Sequence, residues 1–110
     1  EICRGSKLRA EIAFDAVPVL SAALHLVKLG FATGASDRNW AGVANHVALP
    51  PGMPEWQKKL LCDPQTSGGL LVACGRDSAP AVLEIFRQQG FDRACEIGRL
   101  AAGPAGITVS

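Results

Sequence analysis

Leu8, Ala10, Ile12 and Phe14 alternate with Arg9, Glu11 and Ala13, a period of two that predicts a strand with one apolar and one mostly polar face. Asp15 to Val19, with Pro18 inside it, reads as an entry turn. Leu20, Ala23, Leu24 and Val27 then recur at helical spacing, the core stripe of an amphipathic helix whose last turn holds Lys28 and which Gly30 stops. Gly34-Ala35-Ser36-Asp37 reads as a flexible approach with an N-cap, and Trp40, Val43, Ala44 and Val47 repeat the helical spacing in a short helix. Pro50, Pro51, Gly52 and Pro54 break the chain. Glu55 to Leu61 then suits another short helix, with Lys58 and Lys59 near its C-terminus and Asp63-Pro64 ending it.

Gly68-Gly69 leads into Leu70-Leu71-Val72-Ala73-Cys74, an apolar run without alternation that predicts a strand buried on both faces. Asp77-Ser78 and Pro80 open the clearest helix, with Ala79, Val82, Leu83 and Phe86 as its core stripe and Gly90 as its stop. Ala94 to Leu100 and Ile107 to Val109 read as closing strands around a turn at Gly103-Pro104 and Gly106, the last of them an edge strand. The order is strand, helix, two short helices, strand, helix, strand, strand. It predicts an α/β fold of the α+β type, a mixed sheet of about four strands with helices packed against it.

Composition narrows this to one folded domain: 110 residues, 48% apolar and 19% charged, are globular values. Eleven Lys and Arg against ten Asp and Glu leave +1, no basic run exceeds Lys58-Lys59, and aromatics are 5% with no Tyr. The charge footprint and stacking surface of a nucleic-acid binder, and the basic patch of an anionic-membrane binder, are therefore not expected. No apolar run approaches the roughly 20 residues of a membrane span, and no signal peptide opens the chain, so the expected location is cytoplasmic. Glu1 to Ser6 carries no initiator Met, and the front of a longer protein is expected to precede it. Cys3, Cys62, Cys74 and Cys95 match neither a zinc site nor a disulfide framework and are expected to be free and mostly buried.

The candidate chemistry lies in Cys62-Asp63-Pro64-Gln65-Thr66-Ser67-Gly68-Gly69-Leu70-Leu71. Thr66, Ser67, Gly68 and Gly69 can curl so that their amides converge on phosphate or another anion. They can equally be a tight turn in which the glycines approach a neighbouring strand and enter the sheet. No Lys follows the glycines, unlike a P-loop. Arg38 could pair with a phosphate, or bridge to Asp15 or Glu55. His25 and His46 lack local partners and read as solvated, while Trp40 and Trp56 read as core or interface anchors.

Asp63-Pro64-Gln65-Thr66-Ser67-Gly68-Gly69-Leu70-Leu71 resembles the C-terminal hallmark of the selenophosphate synthetase family, also called selenide, water dikinase. Gly34-Ala35-Ser36-Asp37-Arg38-Asn39 resembles the same family's Gly-rich turn before an Arg-Asn pair, and Glu96-Ile97-Gly98-Arg99-Leu100 is similar to its penultimate strand. The resemblance covers nearly the whole chain. It implies the C-terminal α/β domain of the aminoimidazole ribonucleotide synthetase superfamily at residues 1–110, short of its first element, with the N-terminal ATP-binding domain outside it. In that family the reactive Cys or selenocysteine with its Lys, and the metal-binding aspartates, lie in the first domain or just before the second. None of those motifs occurs in Glu1 to Ser110, so no catalytic and no metal-binding residue is expected here.

The resemblance further implies that the whole enzyme is a cytoplasmic homodimer that uses ATP, water and selenide, with Mg2+, to make selenophosphate, AMP and phosphate. This piece alone would be inactive and would hold neither Mg2+ nor ATP. It would dock on the N-terminal domain as a lid and wall, with an anion contact at Thr66, Ser67, Gly68, Gly69 and Arg38. The alternative is a non-catalytic anion-binding or assembly module that shares the superfamily's second domain.

Overall fold

The computed structural model describes residues 1–110. Four strands form one mixed sheet: β1 (Leu8–Ile12), β2 (Val47–Ala48), β3 (Gly98–Ala102) and β4 (Gly106–Val109), in the order β2-β4-β1-β3. β1 runs antiparallel to β3, with Leu8 opposite Ala102 and Ile12 opposite Gly98. It runs parallel to β4, with Ala10 opposite Ile107, and β2 joins β4 in parallel with Val47 opposite that same Ile107. This register puts Ala10, Leu100, Ile107 and Val47 on one face and Arg9, Glu11, Arg99, Thr108 and Ala48 on the other. The expected α+β architecture with a four-stranded mixed sheet is therefore present.

The strands themselves differ from expectation in part: β3 begins at Gly98 rather than Ala94, and the other differences are larger. Leu70–Cys74 is not a strand: residues 64–74 make no backbone–backbone hydrogen bond, and Leu70 is 82% exposed. An apolar run states that a segment favours burial, but a strand exists only where a partner's amides and carbonyls are presented to it. The fourth place is taken by Val47–Ala48, of which Val47 is expected in the helical stripe of Trp40, Val43 and Ala44. Nor is β4 an edge strand, since it lies between β2 and β1.

Five helices accompany the sheet: α1 (Ile2–Ser6), α2 (Ser21–Lys28), α3 (Gly34–Val43), α4 (Glu55–Leu61) and α5 (Ala79–Gln88). Gly30 and Gly90, at φ 93° and 83°, adopt the left-handed conformation that ends α2 and α5. α1 has no expected counterpart and ends on Lys7 at φ 57°. α3 begins at Gly34, so Gly34–Asp37 is its first turn rather than an approach to it. The centre is small. Ala10, Val109, Val27 and Phe14 are its buried apolar residues, and the Phe14 ring meets Trp56 of α4 edge-on at 5.8 Å. Leu20, placed in the α2 stripe by its spacing, is exposed instead.

The accessible surface is 7889 Å² for 11.5 kDa, where a compact monomer of that mass exposes about 5,800 Å². Much of the excess is apolar: Leu20, Leu29, Phe31, Leu70, Leu71 and Phe91 all face outward. The cysteines share in this openness. All four are free, but Cys3 and Cys62 are only half-buried and Cys74 and Cys95 are exposed, contrary to the burial expected of Cys in a closed core. No helix is long and apolar enough to cross a membrane.

Candidate functional site

Two motif segments separated along the chain meet between α3 and α4. The Asn39 side chain, just past the middle of α3, donates from Nδ2 to the carbonyl oxygen of Cys62, 2.9 Å away, at the end of α4 where the Asp63–Leu71 loop begins. α3 and α4 are also joined by Lys59 and Asp37 at 3.9 Å and by the Lys58 ammonium over the Trp40 ring at 5.4 Å. Lys28 of α2 lies over Trp56 at 4.9 Å. Both tryptophans are half-buried anchors that bind helices to one another, as expected. The exposed ion pair adds little to stability; the Asn39 bond fixes where the loop leaves the domain.

From that anchor the loop is open. Thr66, Ser67, Gly68 and Gly69 are exposed, and no residue from Pro64 to Cys74 has positive φ. The loop is thus not curled into a nest of alternating hand, nor do its glycines approach a strand. A Cβ built on Gly69 meets nothing within 4 Å, and one on Gly68 meets the Gln65 side chain, whose Oε1 lies 2.8 Å away. Arg38 is exposed and pairs with no carboxylate: Glu55 is taken by Lys58 at 2.8 Å, and the bridge to Asp15 is not made. No hydrogen bond joins Arg38 to Thr66–Gly69. The structure therefore brings Asn39, not Arg38, to the base of the loop.

One neighbouring residue carried no signal in the sequence. Ser36 is the most buried residue of the chain at 1% exposure, and its hydroxyl has no partner. A serine in a first helical turn ordinarily faces water, and only the packing of α3 shows otherwise. His25 and His46 are exposed. No three His, Cys, Asp or Glu side chains converge to hold a metal ion.

Burial raises the Cys62 thiol above its ordinary pKa, and the nearby Lys58 charge only partly offsets this. A higher pKa means less thiolate at a given pH, and thiolate is the form that reacts. Iodoacetamide at mildly alkaline pH is expected to alkylate exposed Cys74 well before Cys62, as peptide mass spectrometry over a time course would record. Equal rates would mean that the end of α4 opens freely.

Residues 1–109 match the family model described as AIR synthase related protein, C-terminal domain. Curated proteins similar to the chain include selenide, water dikinases of Rhizobium meliloti (strain 1021), 49% identical over 109 residues; of Burkholderia pseudomallei (strain K96243), 46% over 110; and of Dechloromonas aromatica (strain RCB), 44% over 109. Each alignment covers 99% or 100% of this chain and 31% of the relative. The chain therefore spans about a third of the length of the curated proteins it matches.

Proposed function

We propose, from the premise that this chain belongs to the family of AIR synthase related protein C-terminal domains, that it serves as the C-terminal domain of a selenide, water dikinase. The observation that carries this is 44–49% identity, over essentially every residue of the chain, to proteins bearing that name. The activity is then the formation of selenophosphate, AMP and phosphate from ATP, selenide and water in a cytoplasmic homodimer. Residues 1–110 do not fit a resident magnesium ion, because no set of acidic, His or Cys side chains converges. In this reading Mg2+ and ATP are held by an N-terminal ATP-binding domain of the same protein. The outward Leu20, Phe31, Leu70 and Leu71 supply apolar surface that such a domain or a second copy would cover.

The contribution of this domain is positional. Phosphoryl transfer depends on placing and neutralising charged oxygens, and the Thr66–Gly69 loop offers two hydroxyls and backbone amides that no protein group uses. Held at its base by Asn39, it can close over an oxyanion, with exposed Arg38 as a countercharge. Substitution at the glycines separates this role from architecture. Gly69→Ala meets open space, and Gly68→Ala meets only the Gln65 side chain, whose close atom is its flexible end and whose Cβ at 3.4 Å is an ordinary contact, so each should change stability by less than about 1 kcal/mol. In the full-length protein each is expected to lower selenide-dependent AMP formation about tenfold or more, at near-wild-type melting temperature. Activity that falls only in step with unfolding would return the loop to plain architecture.

A further inference from the structure

On the polar face of the sheet, Arg9 is a half-buried guanidinium with no carboxylate partner. The topology explains why. Glu11, two residues along the same face of β1, turns toward β3 and holds Arg99 at 2.6 Å. Arg9 turns the other way, toward β4, where its Nη1 donates to the Thr108 hydroxyl at 3.0 Å. The opposing position on β4 is Gly106, buried and without a side chain, and that space lets the guanidinium reach the segment that precedes β2. A Cβ on Gly106 would stand 2.9 Å from the His46 carbonyl oxygen and 3.6 Å from Arg9 Nη2. The result is an open cavity of about 180 Å³ lined by Arg9, Asn45, His46, Val47, Ala48 and Ala105.

No acid lines this cavity. Of the five guanidinium N–H groups of Arg9, one is used by Thr108. The hydroxyl that accepts it can still donate its own proton, while Asn45 and His46 offer further donors. A planar fork held by a fixed hydrogen bond, in a concavity without counter-charge, matches a compact oxyanion better than a neutral or cationic ligand. We propose that Arg9, Thr108, Asn45 and His46 form a binding site for a compact oxyanion of the phosphate type. It is separate from the Thr66–Gly69 loop and does not depend on the function assigned to that loop.

The test is a titration of the whole 15N-labelled chain with inorganic phosphate, ionic strength being held constant with chloride. Saturable shifts are expected at the Arg9 Nε–H and at the amides of Asn45, His46 and Gly106. Arg9→Gln should weaken binding about tenfold or more, and Arg9→Lys, which keeps the charge but not the fork, by a smaller factor. Ala105→Glu, on an exposed turn, should abolish the response by placing a carboxylate at the mouth, and it guards against a fold defect in the Arg9 variants. Non-saturating shifts equal in wild type and all variants would overturn the site, as would saturable shifts confined to Thr66–Gly69. Replacing phosphate with acetate should give weaker binding, and acetate binding as tight as phosphate would overturn the phosphate-type assignment.

Discussion

Gly98→Ala is expected to destabilise the domain by about 2–4 kcal/mol, although Gly98 is itself exposed. Gly98 opens β3 opposite Ile12, where the two backbones run close: the Ala13 amide donates to the Ile97 carbonyl at 2.9 Å. A Cβ there would overlap the carbonyl oxygen of Glu11 and lie 2.9 Å from its carbon and 3.0 Å from Ile12 Cα. These are backbone atoms of a central strand, so relief requires β1 and β3 to part, and the Glu11–Arg99 pair lies at the same place. Urea denaturation would show the loss as a lower midpoint at unchanged slope. A shift under about 0.5 kcal/mol would mean that the strand end yields without effort, and that the glycine of Glu96–Leu100 has some role other than close approach.

Phe14→Ala is expected to be at least as costly, about 3–5 kcal/mol by loss of transfer energy and the cavity left behind. Only 6 of 110 residues are buried, and Phe14 is the largest of the apolar ones. Against a total stability of about 5–15 kcal/mol for an ordinary domain, that substitution removes much of what holds the chain together. Its effect should also travel. Phe14 meets Trp56 edge-on, Trp56 belongs to α4, and α4 ends at the carbonyl that Asn39 holds. Tryptophan fluorescence should therefore shift to the red under conditions where the mutant is still folded, and limited proteolysis within residues 63–71 should accelerate. A mutant that unfolds more easily yet keeps wild-type fluorescence and cleavage rates would disconnect the core from the loop.

The sequence by itself determined the elements whose signals are local. The alternation around Ala10 made β1, the helical stripe with Lys28 and Gly30 made α2, Asp63-Pro64 closed α4, and Gly90 closed α5. Each of these depends on neighbours within a few residues, by periodicity, capping or a forbidden backbone conformation. The hallmark string and the Arg38-Asn39 pair were likewise legible as strings, and with them the family.

Tertiary structure decided everything that needs a partner. Val47–Ala48 is a strand only because Ile107 and Thr108 lie beside it, and Leu70–Cys74 is not one because its backbone pairs with no other strand. Asn39 rather than Arg38 reaches the loop because the packing of α3 on α4 faces it toward Cys62, a pairing across 23 residues that no local spacing encodes. Arg9 read as one polar position in an alternating strand. The order β2-β4-β1-β3 sends Glu11 to one neighbour and Arg9 to the other, and so leaves a guanidinium without a counter-charge. Long-range pairing sets which strand neighbours which, and electrostatic partnership follows from neighbourhood, so neither is visible along the chain.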